Sequence, residues 1–258
     1  MPSILFEIKD QVGIISLNRP DKLNSFNREM ALKLQFHLDE CNANKLIRAV
    51  YITGSGKAFS AGQDLSEVAD PEGPGMSRIL SEHYNPIVNR IRNLQKPVIA
   101  AVNGVAAGAA ANMALCCDIV IASASASFIQ AFSKIGLIPD SGGTFTLPRL
   151  IGWQKASAIM MLGEKVNATE AERLGMIYKV LPDENFSEET MKIAFELSRM
   201  PTKGLAYTKE ALNHSFKNSW EQQLHEEDVL QQKAAVTHDY REGVQAFLQK
   251  RPGDFKGE

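Results

Sequence analysis

Three short apolar runs in the first half of the chain restrict its fold more than any other feature. They lie at residues 49–53, 97–102 and 118–122, and each is built from branched and small apolar side chains. Unbroken runs of this kind are typical of strands buried on both faces, as in parallel sheets. Helical patterns separate them, and this alternation predicts parallel βα units with right-handed crossovers. We therefore expect an α/β fold.

Residue periodicity extends this prediction to both ends of the chain. Residues 4–9 and 12–18 alternate apolar and polar side chains, which predicts a hairpin. Residues 76–94 repeat apolar side chains at helical spacing and follow a Pro- and Gly-rich loop at residues 70–75. The C-terminal third is predicted to be helical, with one strand candidate at residues 177–181. Its predicted helices cover residues 153–162, 168–174, 187–200, 201–216, 220–237 and 239–249.

Composition excludes several classes of function. The net charge of −2, with both signs interspersed, predicts no binding to nucleic acid or to an anionic membrane. No apolar run approaches the ~20 residues that a membrane span needs, and no signal peptide is recognisable. Three cysteines without a neighbouring histidine at ligand spacing predict a reducing compartment and no metal site. We expect a soluble, cytoplasmic protein.

Two loops of small residues are candidates for binding a ligand oxygen. Residues 60–63 and 108–110 both come after a predicted strand, at the sheet edge where ligands collect in open α/β folds. Small side chains there let an oxygen approach backbone N–H groups, and two such groups would form an oxyanion hole. Close packing of a helix on a strand also demands Gly and Ala, so both interpretations stay open at this point.

A third candidate is the stretch at residues 138–144, in which Asp140 precedes two glycines. Asp140 or Ser141 could be the N-cap of a helix that starts here, because their side-chain oxygens accept backbone N–H bonds. Asp140 could instead be a catalytic base next to glycines, which have no side chain and so let a ligand approach closely. These residues alone do not separate the two.

The order and spacing of four blocks resemble the crotonase family, which comprises the enoyl-CoA hydratases and isomerases. The blocks are FSAGQDL at residues 59–65, KPVIAAVNG at 96–104, CD at 117–118 and GGT at 142–144. The resemblance covers the whole chain. It implies a spiral of ββα units over residues 1–195 and a C-terminal helical trimerisation region over residues 196–258. It further implies a homotrimer or a dimer of trimers.

The resemblance also implies the ligand and its contacts. The substrate would be an acyl-CoA thioester, and no other cofactor would be needed because coenzyme A is part of the substrate. The backbone N–H groups of Gln63 and Ala109 would bind the thioester oxygen and stabilise an enolate. Five residues would lie along the coenzyme A moiety: Lys22, Leu23, Ala61, Asp64 and Leu65.

Two positions separate hydratase from isomerase. The hydratases of the family use two glutamates to activate water, and the matching pocket residues here are Asn112 and Phe132. Neither can act as a base. Asp140 matches the single acid of several isomerases of the family, and burial would raise its pKa into a useful range. We therefore predict an isomerase with Asp140 as acid and base, and with Ser141 as the helix cap.

The stretches FIQAF at residues 128–132 and GLIPDSGGT at 136–144 are closest to one isomerase branch. That branch, which serves phenylacetate breakdown, converts a ring epoxide of phenylacetyl-CoA to an oxepin thioester and shifts 3-enoyl to 2-enoyl double bonds. Ala110 departs from the glycine expected there, which affects pocket width. The alternatives are an enoyl-CoA hydratase and a protein of the same fold that binds acyl-CoA without turnover.

Overall fold

The computed structural model describes all 258 residues and contains two β-sheets. Its strands are β1 (Ile4–Lys9), β2 (Val12–Leu17), β3 (Ala49–Gly54), β4 (Ala58–Ser60), β5 (Val98–Val102), β6 (Val105–Ala107), β7 (Ile119–Ser123), β8 (Ser127–Ile129), β9 (Lys165–Asn167) and β10 (Lys179–Leu181). The large sheet has the order β1-β2-β3-β5-β7-β10, and the small sheet has the order β4-β6-β8-β9. The α/β fold class is confirmed.

The chain crosses between the two sheets as a spiral of ββα units. β3, β5 and β7 pair in parallel in the large sheet, and each is followed at once by a strand of the small sheet, β4, β6 or β8. β4, β6 and β8 are themselves parallel neighbours, so their carboxyl ends meet at one edge of the small sheet. The first hairpin, β1 with β2, is antiparallel as predicted.

The strands of the small sheet were missed in the sequence. Residues 105–107 form β6, and β9 adds a strand to a region predicted to have only one. Each strand of the small sheet is only three residues long, which is too short to show a readable period of two. These strands are identified only by their pairing with neighbouring strands in the folded protein.

The helices of the C-terminal third lie close to their predicted ranges. The helices of the chain are α1 (Arg28–Ala43), α2 (Leu65–Ala69), α3 (Gly75–Arg78), α4 (Asn85–Asn93), α5 (Ala109–Leu115), α6 (Gly143–Ile151), α7 (Trp153–Leu162), α8 (Ala168–Arg173), α9 (Phe186–Ser198), α10 (Thr202–Ser215), α11 (Trp220–Ala235) and α12 (His238–Leu248). None of them is long and apolar enough to cross a membrane.

The amphipathic helix predicted over residues 76–94 is interrupted by a π-helical segment, Ile79–Tyr84, between α3 and α4. Pro86 stands in the first turn of α4 and has no N–H to donate to the preceding turn. A π-helical turn absorbs this defect by widening the helix, and it changes which side chains share a face. Ile79 and Tyr84 are both buried as a result.

Two buried cations join the C-terminal helices to the spiral. Arg48 donates to the backbone oxygens of Met200, at 2.6 Å, and Phe255, at 2.8 Å. Lys209 of α10 donates from Nζ to the carbonyl oxygen of Ile91, at 2.7 Å, and to Asp118 Oδ2, at 2.8 Å. The boundary predicted at residues 195/196 lies inside α9, which packs on the large sheet.

Replacement of Lys209 by Ala is expected to lower the free energy of unfolding by about 3 kcal/mol, because it leaves Asp118 and the Ile91 carbonyl without their buried partner. Urea denaturation followed by circular dichroism measures this. Lys203→Ala on the same helix is the control, since that side chain is exposed, and it should change stability by less than about 0.5 kcal/mol. Equal effects of the two substitutions would contradict the role of Lys209.

Candidate active site

A cavity of about 220 Å³ opens at the edge of the small sheet where β4, β6 and β8 end. Most of its wall is apolar, and Asp140 is the only carboxylate in it. The lining residues are Ala61, Gly62, Gln63, Leu65, Val68, Met76, Ile79, Tyr84, Gly108, Ala109, Ala131, Phe132, Lys134, Ile135, Leu137 and Asp140. The cavity therefore suits an apolar group that must meet one carboxylate.

The first small-residue loop presents the backbone of Gln63 to the cavity. Two hydrogen bonds to Phe26 flank Gln63. The N–H of Phe26 donates to the Gly62 oxygen at 2.7 Å, and the N–H of Asp64 donates to the Phe26 oxygen at 2.8 Å. In such a parallel bridge the intervening residue directs its own N–H away from the partner. Gly62 permits this with a φ of +88°, and a Cβ there would lie 2.7 Å from the Ala107 oxygen.

The second loop places Ala109 at the first position of α5, directly after Gly108, whose φ is +55°. The N–H groups of the first helical turn have no partner within the helix, and the helix dipole adds positive potential there. The two loops touch, because a Cβ on Gly62 would lie 3.8 Å from the Gly108 Cα. Gln63 and Ala109, the two predicted oxyanion donors, are therefore brought together at one cavity.

Asp140 is held by its backbone rather than by its carboxylate. Its carbonyl oxygen accepts the side-chain amide of Asn112 at 2.9 Å and the N–H of Gly143 at 2.8 Å. The carboxylate accepts only the Ser141 hydroxyl, at 2.8 Å, and otherwise faces the cavity. Burial raises the pKa of Asp140 from its ordinary value of 3.8 to about 6, and the Ser141 hydrogen bond opposes part of that rise.

The predicted helix cap at Ser141 is wrong. α6 begins after Gly142, which has a φ of +76° and offers no side-chain cap. Ser141 itself has a φ of +52°, and its hydroxyl turns to the Asp140 carboxylate instead of to the first turn of α6. The positive φ of two consecutive residues prevents the extended conformation in which a serine caps a helix.

The two residues that match hydratase glutamates occupy different places. Phe132 is buried in the cavity wall. Asn112 has no exposed surface and lies behind the wall, where its Oδ1 accepts the Gln130 side-chain amide at 2.7 Å. Both hydrogen-bonding ends of its amide are occupied, so Asn112 supports the Asp140 loop instead of lining the pocket.

The residues predicted to contact coenzyme A lie in three different environments. Ala61 and Leu65 line the cavity, and Lys22 and Leu23 are exposed beside it, with the Leu23 oxygen accepting the Ala61 N–H at 2.9 Å. Asp64 is buried and already paired. Burial opposes its ionisation, but hydrogen bonds from Ser66 and Arg19 outweigh this and hold the pKa of its carboxyl below the usual range.

Tyr84, Ile79 and Met76 are cavity residues that the sequence did not reveal as such. Their helical spacing placed them in the hydrophobic core, which is the ordinary interpretation of an amphipathic stripe. Only the π-helical segment turns Ile79 and Tyr84 toward the same wall.

One cluster of possible metal ligands lies elsewhere, between α10 and α11. Ligand atoms of Glu210, His214 and Glu226 lie within 4.8 Å of one another, and His214 Nδ1 is 3.0 Å from Glu226 Oε1. None of the three lines the cavity at the small sheet. The chemistry of that cavity rests on backbone donors and one carboxylate.

Known proteins share the sequence and fold of this chain. The sequence matches the enoyl-CoA hydratase/isomerase family over residues 7–258. It is 46% identical over 262 residues to 1,2-epoxyphenylacetyl-CoA isomerase of Escherichia coli, covering 100% of this chain and 99% of that one. It is 42% identical over 255 residues to a protein named probable enoyl-CoA hydratase in Rhodobacter capsulatus, covering 99% and 98%. The crystal structure of an enoyl-CoA hydratase from Bacillus anthracis superposes with a TM-score of 0.92 at 33% identity, covering 99% and 100%.

The chain therefore belongs to the enoyl-CoA hydratase/isomerase family, the crotonases, as its motifs predicted. It is an enzyme of that family acting on coenzyme A thioesters, of isomerase or hydratase type.

Replacement of Asp140 by Asn is expected to stabilise the protein increasingly as the pH rises from 4 to 7. The folded pKa of about 6 exceeds the ordinary 3.8, so the folded state holds its proton longer and loses stability as the carboxyl ionises. At pH 7 the gain should be on the order of 1–3 kcal/mol. Denaturant unfolding at fixed protein concentration measures it.

The control for this measurement is Asp228→Asn on the exposed face of α11. It should change stability by less than about 0.5 kcal/mol, as expected for an exposed side chain. An Asp140→Asn difference that is flat from pH 4 to pH 7 would show that the Asp140 carboxyl ionises as easily in the folded protein as in the unfolded chain.

Proposed function

We propose that the protein is an acyl-CoA isomerase in which Asp140 moves a proton between two carbons of the substrate. The observation that carries this proposal is the isolation of Asp140 as the single carboxylate in an apolar cavity, with a pKa raised to about 6. A base with such a pKa is ionised at neutral pH and can still return the proton it takes.

The backbone supplies the electrophilic part of the mechanism. Removal of a proton next to a thioester produces an enolate, whose oxygen would meet the N–H groups of Gln63 and Ala109. Both donors belong to backbone that is fixed by neighbouring hydrogen bonds, so little reorganisation is needed when the negative charge develops. Asp140, now protonated, gives the proton to a more distant carbon of the same conjugated system, and the base is restored without any cofactor.

The residues at the two hydratase positions, Phe132 and Asn112, make hydration unfavourable. Addition of water requires a second group that orients and deprotonates a water molecule, and Phe132 has no such group. Asn112 lies behind the wall with both ends of its amide in use. A single acid–base residue is sufficient for an isomerase. It is insufficient for a hydratase that needs a second residue to orient and deprotonate water.

The substrate that suits this cavity best is the ring-epoxide thioester of phenylacetate breakdown, and 3-enoyl thioesters are further substrates. The E. coli relative at 46% identity is named for the ring epoxide. The apolar wall, with the Phe132 ring and the side chains of Met76 and Ile135, suits a flat hydrocarbon ring. Both reactions take a proton beside the thioester and add one further along the conjugated system, so Asp140 serves each.

We also infer that residues 196–258 mediate assembly into a trimer or a dimer of trimers. Four large apolar side chains on or next to the last two helices are more than two-thirds exposed in the single chain, and a partner subunit would cover apolar surface there. They are Trp220, Val236, Phe247 and Leu248.

The Asp140→Asn variant is expected to lose at least about 10³-fold in kcat for isomerisation of 3-enoyl to 2-enoyl thioesters, because the amide cannot accept the proton. Thioester binding should survive, since the backbone donors remain. Absorbance of the conjugated product and calorimetric titration with a saturated acyl-CoA measure the two quantities.

Asp228→Asn serves as the control and should retain the wild-type rate, because Asp228 lies on α11 outside the cavity. A wild-type rate in Asp140→Asn would remove Asp140 from the mechanism. Rapid hydration of crotonyl-CoA by the native protein would favour the hydratase, and binding without turnover of any enoyl or epoxide thioester would favour a non-catalytic binding protein.

The acid limb of kcat/KM should lie near pH 6, with activity rising as Asp140 ionises. Ser141→Ala removes the hydroxyl that stabilises the carboxylate, so the limb should move upward by roughly one pH unit. Ser133→Ala, an exposed serine near the cavity, should leave the limb in place. A limb that stays at the same pH in Ser141→Ala would show that another group controls the titration.

A further inference from the structure

Three side chains form a connected series of hydrogen bonds behind the first oxyanion loop, and we call it the Glu67–Gln63–Tyr84 series. The Tyr84 hydroxyl donates to Gln63 Oε1, and Gln63 Nε2 donates to Glu67 Oε2 at 2.9 Å. The other carboxylate oxygen of Glu67 accepts the backbone N–H of Arg28 at 2.8 Å. The series thus runs from the cavity wall to the start of α1.

The chemistry of the three groups fixes the direction of every bond. An ionised Glu67 can only accept, so it takes the amide nitrogen of Gln63 and leaves the amide oxygen to face Tyr84. The Tyr84 hydroxyl must then donate its only proton to Gln63. Burial and the Asp140 charge both raise the pKa of Tyr84 well above its ordinary value, so the hydroxyl keeps this proton.

Gln63 is consequently held from two sides. Phe26 hydrogen-bonds to the backbone on either side of Gln63, and Tyr84 and Glu67 hold its side-chain amide. The Phe26 and Tyr84 rings also meet edge to face, with 6.2 Å between their centroids. Tyr84 is only 1% exposed, so it cannot leave this position without opening the core.

We infer that Tyr84 and Glu67 are positioning residues, which act through the Gln63 side chain to aim the Gln63 backbone N–H at the enolate oxygen. The inference rests on the proposed function, because it assumes that this N–H stabilises an enolate. A fixed donor is effective because it needs no reorganisation when charge develops, and a small displacement loses much of that effect. The series supplies this rigidity to a loop whose other residues, Ser60, Ala61 and Gly62, are small.

A double-mutant cycle tests the inference with Tyr84→Phe and Gln63→Met in the full-length protein. Tyr84→Phe should lower kcat for 3-enoyl-CoA isomerisation roughly 10-fold, with KM and the acid limb near pH 6 unchanged. Gln63→Met keeps the backbone N–H and the side-chain size but removes the amide. In that background Tyr84→Phe should cost nothing further, because the hydroxyl has lost the group through which it acts.

Two comparisons separate positioning from simple loss of stability. Tyr51→Phe also removes a buried hydroxyl hydrogen bond, to Thr190 at 2.8 Å on the other side of the large sheet, and should leave kcat unchanged. Glu67→Gln retains one oxygen that can accept from Gln63, although its NH2 group then faces the Arg28 N–H, so it should keep more of the activity than Glu67→Ala does.

Three outcomes would overturn the inference. An unchanged kcat in Tyr84→Phe, a rise in KM alone, or a full cost that persists in the Gln63→Met background would show that Tyr84 is a wall residue or meets the substrate directly. Failure of the proposed function is recognised separately. It would appear as a wild-type protein without isomerase turnover, or as an Asp140→Asn variant with the wild-type rate.

Discussion

The buried side chain of Asn112 connects the parts of the site that must keep a constant distance. Asn112 belongs to α5, whose first residue is Ala109, and its Nδ2 donates to the Asp140 carbonyl at 2.9 Å. Its Oδ1 accepts the Gln130 amide at 2.7 Å, which leaves Gln130 Oε1 buried without a partner, at a cost of about 1–3 kcal/mol. Gly143 is required beside it, because a Cβ there would lie 2.3 Å from Asn112 Nδ2. Asn112 therefore connects the proposed base, Asp140, to the helix that begins with the proposed donor, Ala109.

Two carboxylates near the cavity have opposite environments, and this difference assigns their roles. Asp64 is paired with Arg19 at 2.8 Å and also caps α2, so its charge is satisfied by the protein. Asp140 has only a serine hydroxyl as a partner and faces apolar side chains, so its charge is poorly solvated. A poorly solvated carboxylate destabilises the folded state and is a better base for that reason.

Sequence patterns were sufficient wherever local periodicity or turn chemistry determines the structure. The first hairpin, the three buried strands and most C-terminal helices lie where alternation and helical spacing placed them. The small residues around Gln63 and Ala109 also indicated close approach to backbone, and each follows a glycine with positive φ in the structure. The stretch at residues 138–144 alone left Asp140 undecided between helix cap and catalytic base, and its match to the single acid of several isomerases of the family favoured the base.

The sequence by itself thus determined the fold class, the family and the residue types that the site can use. Tertiary structure alone decided the small sheet, since three-residue strands are defined by their neighbours and carry no period. It also placed Asn112 behind the wall, where its amide is hydrogen-bonded to Asp140 and Gln130. Tyr84 lies in the wall because a π-helical segment shifts the face that periodicity predicts. The pKa of Asp140 depends in the same way on burial by distant segments, which desolvate the carboxyl and raise its pKa to about 6.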